Sequence, residues 1–332
     1  MVSLHDIAKR CGVSTATVSA ALNGKIQGVR RDARARAEQI VAVAQELGYR
    51  PQAAARSLRT QRTGVVGVLL MNHSGPGGEA IHPHQYELVI GATNALCAAG
   101  LGSMLIPMDR IGGDEHRVFQ QQMLDGLIAF GHLSDEVEQR AVSLGVPVVW
   151  ADSHRLDAHN CVHRDEAQAG ADGVALAAAQ GYRHLVRIGP PQQDARWWRE
   201  RDIGIVAAAD RLGVTLSRRE QGADTCEAAE VLQAALGSHG ALLCENAYVL
   251  HGLLAAVAAS KLALGCDVPC VALDDSATIN RSAPGVSRVR FNRHRLGQRA
   301  VAMLLAALGD EPQASQVIPD TIVAGTTLPA LT

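Results

Sequence analysis

The chain has 332 residues, 47% of them hydrophobic, and a formal net charge of −2 at pH 7. At roughly 150 residues per domain, this length predicts two or three domains with sizeable cores. No uncharged apolar run reaches the roughly 18 residues of a membrane span, and the charged start of the sequence is atypical of a secretion signal, so we expect a cytoplasmic protein. The seven cysteines are scattered and complete no zinc-binding pattern, which favours reduced structural thiols.

Charge is distributed unevenly along the chain. Residues 1–62 hold eleven Lys and Arg against four Asp and Glu, a net charge of +7, so the remaining residues carry −9. A basic head on an acidic body predicts a polyanionic partner for the head. An ordinary solvated face of charges is the alternative that composition alone leaves open.

Three short helical patterns fill residues 3–48. Ser3 and Asp6 are spaced as a capping box at the start of the first helix, and Gly12 breaks that helix. Ser14 is placed to cap the second helix, whose sequence is TATVSAAL.

The third pattern runs from about residue 31 to residue 47. Gly48 stands where a left-handed C-cap belongs, and Pro51 prevents the helix from continuing. Two helices joined by a glycine turn, with a third behind them, are typical of a helix-turn-helix unit, although many small bundles share this pattern.

A helix-forming segment, QAAARSLR, follows at residues 52–59. Its one large apolar side chain is Leu58, and eight residues alone make a marginal helix in water, so we expect this segment to order only on binding. A lone leucine there can enter a minor-groove base step and bend the duplex. Ordinary packing on its own domain is the alternative. The TQRTG segment after it is interpreted as a linker.

After Gly64, short apolar runs alternate with amphipathic helical stretches. This alternation predicts a mostly parallel sheet with helices on both faces, in which ligands bind at the carboxyl ends of the strands. Residues 72–84 follow the first strand at such an end, and we expect a long, mobile loop. The expected strands lie at residues 65–70, 103–107, 126–130, 147–150, 184–189, 240–244 and 269–273, with helices among 86–99, 166–180 and 248–263.

Specific motifs carry a family resemblance. In the head they are SLHDIAKRCGVSTATVSAALNG and AVAQELGYRPQAAARSLRT, and in the body TGVVGVLL, MLDGLIAF, GVPVVWAD, QGYRHLVRIG, RDIG and VALDD. With these motifs in this order, the chain resembles the LacI/GalR family of bacterial transcriptional regulators. The resemblance implies an α/β protein: a three-helix helix-turn-helix head and hinge helix, joined to a two-lobed body like periplasmic binding proteins, with parallel sheets.

The resemblance also implies domain boundaries. The DNA-binding domain is expected at residues 1–50, the hinge helix and linker at 51–63, and the effector-binding and dimerisation domain at 64–332. The two lobes of that last domain are expected to comprise residues 64–163 with 292–319, and 164–291 with 320–332.

The resemblance makes residues 14–23 the recognition helix of the head. It implies that hydroxyl and amide side chains contact phosphates while Thr15, Ala16 and Ala20 face base edges, and that Leu58 is inserted at the centre of a palindromic operator. The residues expected to bind DNA are Leu4, Ser14, Thr15, Ala16, Thr17, Ser19, Ala20, Asn23, Ala55, Leu58 and Arg59.

This recognition helix departs from the family at two reading positions. Position 20 often carries a long polar side chain, commonly Arg, and both positions 16 and 20 are Ala in this chain. Bidentate base contacts worth about 1–3 kcal/mol each are therefore absent there, and short apolar contacts to thymine methyls remain. Our hypothesis is that specificity shifts toward the Leu58 step, DNA deformability and half-site spacing.

For the effector, Arg201 matches the family arginine that binds effector oxygens, a role that suits a guanidinium. For Asp152 and Asp274, which each end an apolar strand, helix capping is the alternative. For Trp197, the alternative is surface or hinge packing. Because other family positions differ, we expect an unusual ligand rather than a common hexose. The effector-binding residues implied by the resemblance are Asp152, Trp197, Arg201, Asn246, Asp274 and Phe291.

Catalytic motifs are lacking. G-x-S-x-G is absent, and the GPGG at residues 75–78 is not followed by the Lys and Ser or Thr of a phosphate-binding loop. His82 and His84 have only Glu79 nearby at metal-ligand spacing. We therefore expect no enzyme, no cofactor and no metal.

The function implied by the resemblance is a repressor controlled by a small-molecule effector, a sugar or related polar metabolite. The expected partners are double-stranded palindromic operator DNA, the effector and a second copy of the chain in a homodimer, with no membrane. We expect a cytoplasmic protein that joins the nucleoid when bound to operator. Inducer and corepressor modes both stay open. The alternative, a sugar-type solute-binding protein without a DNA role, would need an export signal.

Overall fold

The chain divides into two units, Met1–Thr63 and Gly64–Thr332, which we call the head and the body. The structure is a computed structural model. It describes residues 2–24, 31–50, 57, 60–70, 73–75, 78–80, 83–107, 122–131, 133–155, 157–189, 196–220, 230, 232 and 240–331.

The head consists of α1 (Leu4–Cys11), α2 (Thr15–Leu22) and α3 (Arg31–Glu46). The predicted capping box is confirmed: the Asp6 amide donates to Ser3 Oγ at 3.3 Å, and the Ser3 amide donates to the Asp6 carboxylate at 2.8 Å. Gly12 ends α1 in the left-handed region, at φ 65°. This conformation suits glycine because it lacks a Cβ.

A small apolar core holds the three head helices together. Ile7 of α1, Val18 of α2 and Ile40 of α3 are fully buried in it. The predicted glycine cap after α3 is confirmed, because Gly48 has φ 66° and the next amide, of Tyr49, donates to the Ala44 carbonyl. The predicted three-helix head is therefore confirmed.

In its described residues, the body forms two six-stranded sheets with a similar strand order. The first has the order β13-β7-β6-β5-β1-β4 and the second β14-β12-β11-β10-β8-β9. Within these two sheets, all neighbouring strands are parallel except β12 and β14. The strands are β1 (Val65–Leu70), β2 (His73–Gly75), β3 (Gly78–Ala80), β4 (Gly102–Pro107), β5 (Gly126–Phe130), β6 (Val148–Ala151), β7 (Cys161–Arg164), β8 (His184–Gly189), β9 (Thr215–Glu220), β10 (Ala241–Cys244), β11 (Cys270–Ala272), β12 (Ser287–Phe291), β13 (Gln316–Ile318) and β14 (Asp320–Val323).

Helices cover both faces of each sheet, so the strands are buried on two sides. In β1, Val68 packs into the core under α4 and α10, while Leu69 packs into the core on the opposite face. The second sheet has one core under α8 and another under α6 and α7. This confirms the predicted parallel α/β body. The helices are α4 (Pro83–Ala98), α5 (Asp135–Ser143), α6 (Glu166–Ala179), α7 (Arg196–Leu212), α8 (Ala247–Ala259), α9 (Ala277–Ser282) and α10 (Arg293–Ala307).

The prediction that residues 72–84 form one long loop is wrong for the described part. β2 and β3 form an antiparallel ribbon in which His73 pairs with Ala80, and α4 already begins at Pro83. Pairing of the two short segments gives their backbone N–H and C=O groups hydrogen-bond partners within the protein, whereas in an unpaired loop these groups would bond to water.

The hinge segment and the possibility of a membrane span were also addressed by the sequence predictions. The hinge helix predicted over residues 52–59 lies outside the described residues except for Ser57, which is helical. In the described part of the chain, no helix is both long and apolar enough to cross a membrane.

Candidate nucleic-acid interface and ligand cleft

The exposed side of α2 carries small hydroxyl and methyl side chains. Ser14 Oγ caps the helix by accepting from the Thr17 amide at 3.2 Å, and the two hydroxyls lie 2.9 Å apart. At the other end, Asn23 Nδ2 donates to the Ser19 carbonyl at 2.6 Å. The polar side chains near both ends of α2 thus already bond to the helix itself.

The remaining predicted reading positions of α2 are short. Thr15 and Ala16 are exposed, and Ala20 is half-buried. Such a surface lets the helix approach a duplex closely and offers methyl groups, hydroxyls and the positive end of the helix dipole rather than long forked donors. The hydroxyls of α2 can bond to phosphate oxygens. Such contacts orient a protein on the duplex but do not distinguish base sequence.

The other predicted DNA contacts are placed as follows. Leu4 is half-buried and packs against the head core. Ala55, Leu58 and Arg59 lie outside the described residues.

The predicted ligand-binding residues of the body follow the carboxyl ends of strands from both sheets. Asp152 comes after β6, Asn246 after β10 and Asp274 after β11, while Phe291 ends β12. A small pocket of about 20 Å³ opens in this region. Its lining residues are Asp152, Ser153, His154, Arg164, Glu166, Arg196 and Trp197.

Arg201 is buried beside this pocket, with 3% of its surface exposed. Its Nε donates to Glu166 Oε2 at 2.9 Å, its Nη2 bonds the same oxygen, and its Nη1 bonds the carbonyl of Glu245. The guanidinium lies 5.2 Å from the Trp197 ring centroid and 6.0 Å from that of Phe291. The structure therefore brings three of the predicted residues together.

Close packing of α6 on α7 makes the Glu166–Arg201 contact possible. A Cβ on Gly204 would overlap the carbonyl oxygen of Ala167, and one on Gly170 would overlap the Arg201 carbonyl. Glycine at both positions lets the two helix backbones approach closely. The first residue of α6 is thereby brought to the guanidinium on α7.

Asp152 is joined to the same group through Arg164. Arg164 Nε donates to Asp152 Oδ1 at 2.8 Å, and Arg164 Nη2 lies 2.8 Å from Glu166 Oε1. Burial would raise the pKa of Asp152, but the Arg164 guanidinium outweighs it and lowers this pKa below its usual value. The next helix, α6, is capped by Asp165. Asp152 therefore acts as an ion-pair partner of Arg164, and the capping alternative does not hold for it.

Asp274 and Asn246 have different local roles. Asp274 bonds Arg293 Nη2, whose guanidinium also lies 5.6 Å from the Phe291 ring, and α9 is capped by Ser276 instead. The Oδ1 of Asn246 caps α8 by accepting from Val249 at 2.9 Å. Asp274 thus joins the cleft through Arg293, whereas Asn246 has a demonstrated capping role.

One link between the two sides of the cleft was not predicted from the sequence. Arg196 Nη1, at the start of α7, donates to the Ser153 carbonyl at 2.8 Å and approaches His163 Nδ1 at 3.2 Å. Burial lowers the pKa of His163, and the Arg196 charge lowers it further, so the imidazole is neutral at pH 7 and can accept. Position at the end of a strand or in the first turn of a helix was the available signal for Arg164, Glu166 and Arg196.

The described residues hold no group of three or more His, Cys, Asp or Glu side chains that could bind a metal ion. The arrangement instead alternates hydrogen-bond donors and acceptors beside aromatic faces. This chemistry suits binding of a small polar molecule.

Two family models match the sequence. The model described as bacterial regulatory proteins, lacI family, matches residues 3–52. The model described as a periplasmic binding protein-like domain matches residues 174–328.

Two curated relatives align with this chain over nearly their whole length. The HTH-type transcriptional regulator RegA of Clostridium saccharobutylicum is 27% identical over 93% of this chain and 95% of the relative. The HTH-type transcriptional repressor PurR of Erwinia tasmaniensis is 25% identical over 96% of this chain and 94% of the relative.

Solved structures share the fold. A lac repressor dimer bound to operator and the anti-inducer ONPF matches with a TM-score of 0.77 at 20% identity, covering 99% of both chains. A complex of the transcriptional regulator CelR with cellobiose matches with a TM-score of 0.66 at 20% identity, covering 98% of this chain and all of the other.

Proposed function

This chain belongs to the LacI family of bacterial regulatory proteins, and on that premise we propose that it is a transcriptional repressor whose operator affinity is controlled by a small polar effector. Family membership confirms the predicted regulatory class and the prediction that the chain is not an enzyme. The two-lobed architecture predicted from the resemblance agrees with the structural relatives.

The observation that carries the proposal is the presence, in one chain, of a helix-turn-helix head and a separate body with a polar cleft. The exposed face of α2 suits a DNA groove, and the cleft at the strand ends suits a polar ligand. The relatives include a repressor–operator complex and a regulator–cellobiose complex. We extend both kinds of partner to this chain.

The DNA complex we propose is a homodimer on a palindromic operator in the bacterial cytoplasm. A two-fold dimer places one head in each half-site. Thr17, Ser19 and Asn23 then position the head on phosphates, and Leu58 enters the central base step. The protein joins the nucleoid when it occupies its operator.

Linkage connects the two ligands in this proposal. Effector and operator favour different arrangements of the body, so each changes the affinity for the other by the same factor. The bridge from Arg196 to Ser153 and His163 spans the cleft, so a ligand entering there must keep it or replace it.

Selection from a random palindromic DNA library with the full chain tests the DNA-binding part. We expect enrichment of one half-site arrangement and affinity that falls as salt rises, since phosphate contacts release counterions. A salt-insensitive chain that enriches no sequence would contradict the repressor assignment. Release of the selected operator by fractionated cell metabolites then tests control by an effector.

A further inference from the structure

The polar side chains at the cleft form a balanced set of opposite charges. Arg164 pairs with Asp152 and Glu166, Arg201 with Glu166, and Arg196 with Glu200 at 2.7 Å. Three guanidinium groups thus face three carboxylates. Among the described side chains at this pocket, no arginine lacks a carboxylate partner.

Glu166 holds the central position in this set. Only 3% of its surface is exposed, and its two oxygens contact different arginines, Arg164 through Oε1 and Arg201 through Oε2. It is therefore shared by both cations, and the arginine expected to bind an effector is already engaged by an internal anion.

One acceptor in this arrangement is incomplete. Glu166 Oε1 is buried and has no hydrogen bond among the described residues, because its approach to Arg164 is an ion pair without hydrogen-bond geometry. Glu166 also lines the pocket. Beside its ion pair with Arg164, this buried oxygen accepts no well-directed hydrogen bond, which is unfavourable, and a ligand hydroxyl can supply that bond.

We propose that Glu166 determines effector specificity: it selects an uncharged, hydroxyl-bearing ligand that donates to its Oε1, and it rejects carboxylates and phosphates. This inference rests on the proposed function and specifies the ligand class of the same cleft. An anionic ligand that took Arg164 or Arg201 would leave the buried Glu166 carboxylate with one cation instead of two, and weakening the pairing of a buried charge is unfavourable. A neutral hydroxyl requires no such exchange.

The proposal predicts that removing the Glu166 charge creates an anion site. In E166Q, Arg164 and Arg201 share no carboxylate, so a small oxyanion can bind them. The probes are sodium sulfate and sodium acetate, titrated against sodium chloride at matched ionic strength. Thermal unfolding of the full chain and tryptophan fluorescence are recorded together, since Trp197 stacks on Arg201.

We expect E166Q to bind sulfate or acetate saturably and at least tenfold more tightly than the wild type. The double variant E166Q/R201Q should lose this gain, which locates the anion at Arg201. The control is E136Q, because Glu136 forms an exposed ion pair with Arg140 on α5, away from this pocket. It should behave as the wild type.

The proposal is overturned if E166Q binds these anions no better than the wild type. It is equally overturned if the wild type binds either anion saturably with a change in tryptophan fluorescence, a measurement that stands even where E166Q does not fold. Failure to select operator DNA would count against the repressor assignment alone, because the anion titrations involve no DNA.

Discussion

The recognition helix of the head and the ligand cleft of the body use polar side chains in opposite ways. On α2 the polar groups are small, solvent-facing and bonded to their own helix. In the cleft they are large, charged, buried and paired across long stretches of sequence. The surface of α2 can adapt to many DNA sequences because its polar groups are small. The cleft, by contrast, holds one arrangement of paired charges before a ligand binds.

The largest effect is expected from breaking the buried pair in the body. Arg201→Ala leaves Glu166 with one cation instead of two, and removing one partner of a buried ion pair destabilises a protein by about 3–5 kcal/mol. Urea unfolding measures the loss. The effector response, followed as ligand-induced release of operator, should disappear, while effector-free operator binding persists for an inducer-type protein.

A double-mutant cycle provides the control for Arg201. Glu166→Ala combined with Arg201→Ala removes both charges and should recover part of the stability lost in the single arginine variant. Additive losses would show that the two side chains do not act as a pair. An intact effector response in Arg201→Ala would remove this residue from the site.

An intermediate effect is expected from giving the head a long donor. Ala20→Arg supplies a bidentate group on α2, and such a contact to guanine discriminates bases by about 1–3 kcal/mol. Selected half-sites should acquire a guanine preference absent from the wild type. The matched variant Ala42→Arg places the same charge on an exposed position of α3 and should raise overall affinity without this preference. A strong guanine preference already present in the wild type under α2 would contradict our view that this helix reads bases weakly.

A smaller effect concerns pH and the acidic groups beside α6. Burial and the neighbouring Asp172 raise the pKa of Asp320 to about 6. Since this folded-state pKa exceeds the unfolded value of about 3.8, ionisation of Asp320 opposes folding increasingly as pH rises from about 4 to about 6. Asp320→Asn should therefore stabilise the chain above pH 6, with no gain at pH 4, in urea unfolding across this range.

The exposed acid Asp210 on α7 offers the control for Asp320. Asp210→Asn should change stability little at any of these pH values. A gain for Asp320→Asn that is equally large at pH 4 would show that burial of this carboxyl is not its cause.

Local features were predictable because they depend on neighbours in sequence. The caps at Ser3 and Ser14, the left-handed turns at Gly12 and Gly48, and the buried strand at 65–70 all appear where the pattern placed them. Of the four edge strands of the two large sheets, β4 was predicted, whereas β9, β13 and β14 were not. β9, with the sequence TLSRRE, has one neighbouring strand and a largely polar composition, so it lacks the apolar run that marked the inner strands.

The cleft residues show the same division. Arg201 and Asp152 could be proposed from family resemblance, but Glu166 and Arg164 could not, because their partners are brought together by packing. Arg201 meets Glu166 across 35 residues, and it meets the Glu245 carbonyl across 44. Neither separation leaves a periodic signal in the chain.

By itself, the sequence determined the class of the protein, its helix-turn-helix head, its parallel α/β body and most local boundaries, because these follow from hydrophobic period, capping and turn chemistry over a few residues. Only the tertiary structure decided which charges meet in the cleft. The glycine contacts between α6 and α7 and the convergence of strand ends place Glu166 between two arginines. Pairing at that distance depends on how helices and sheets pack, and packing is a property of the whole chain.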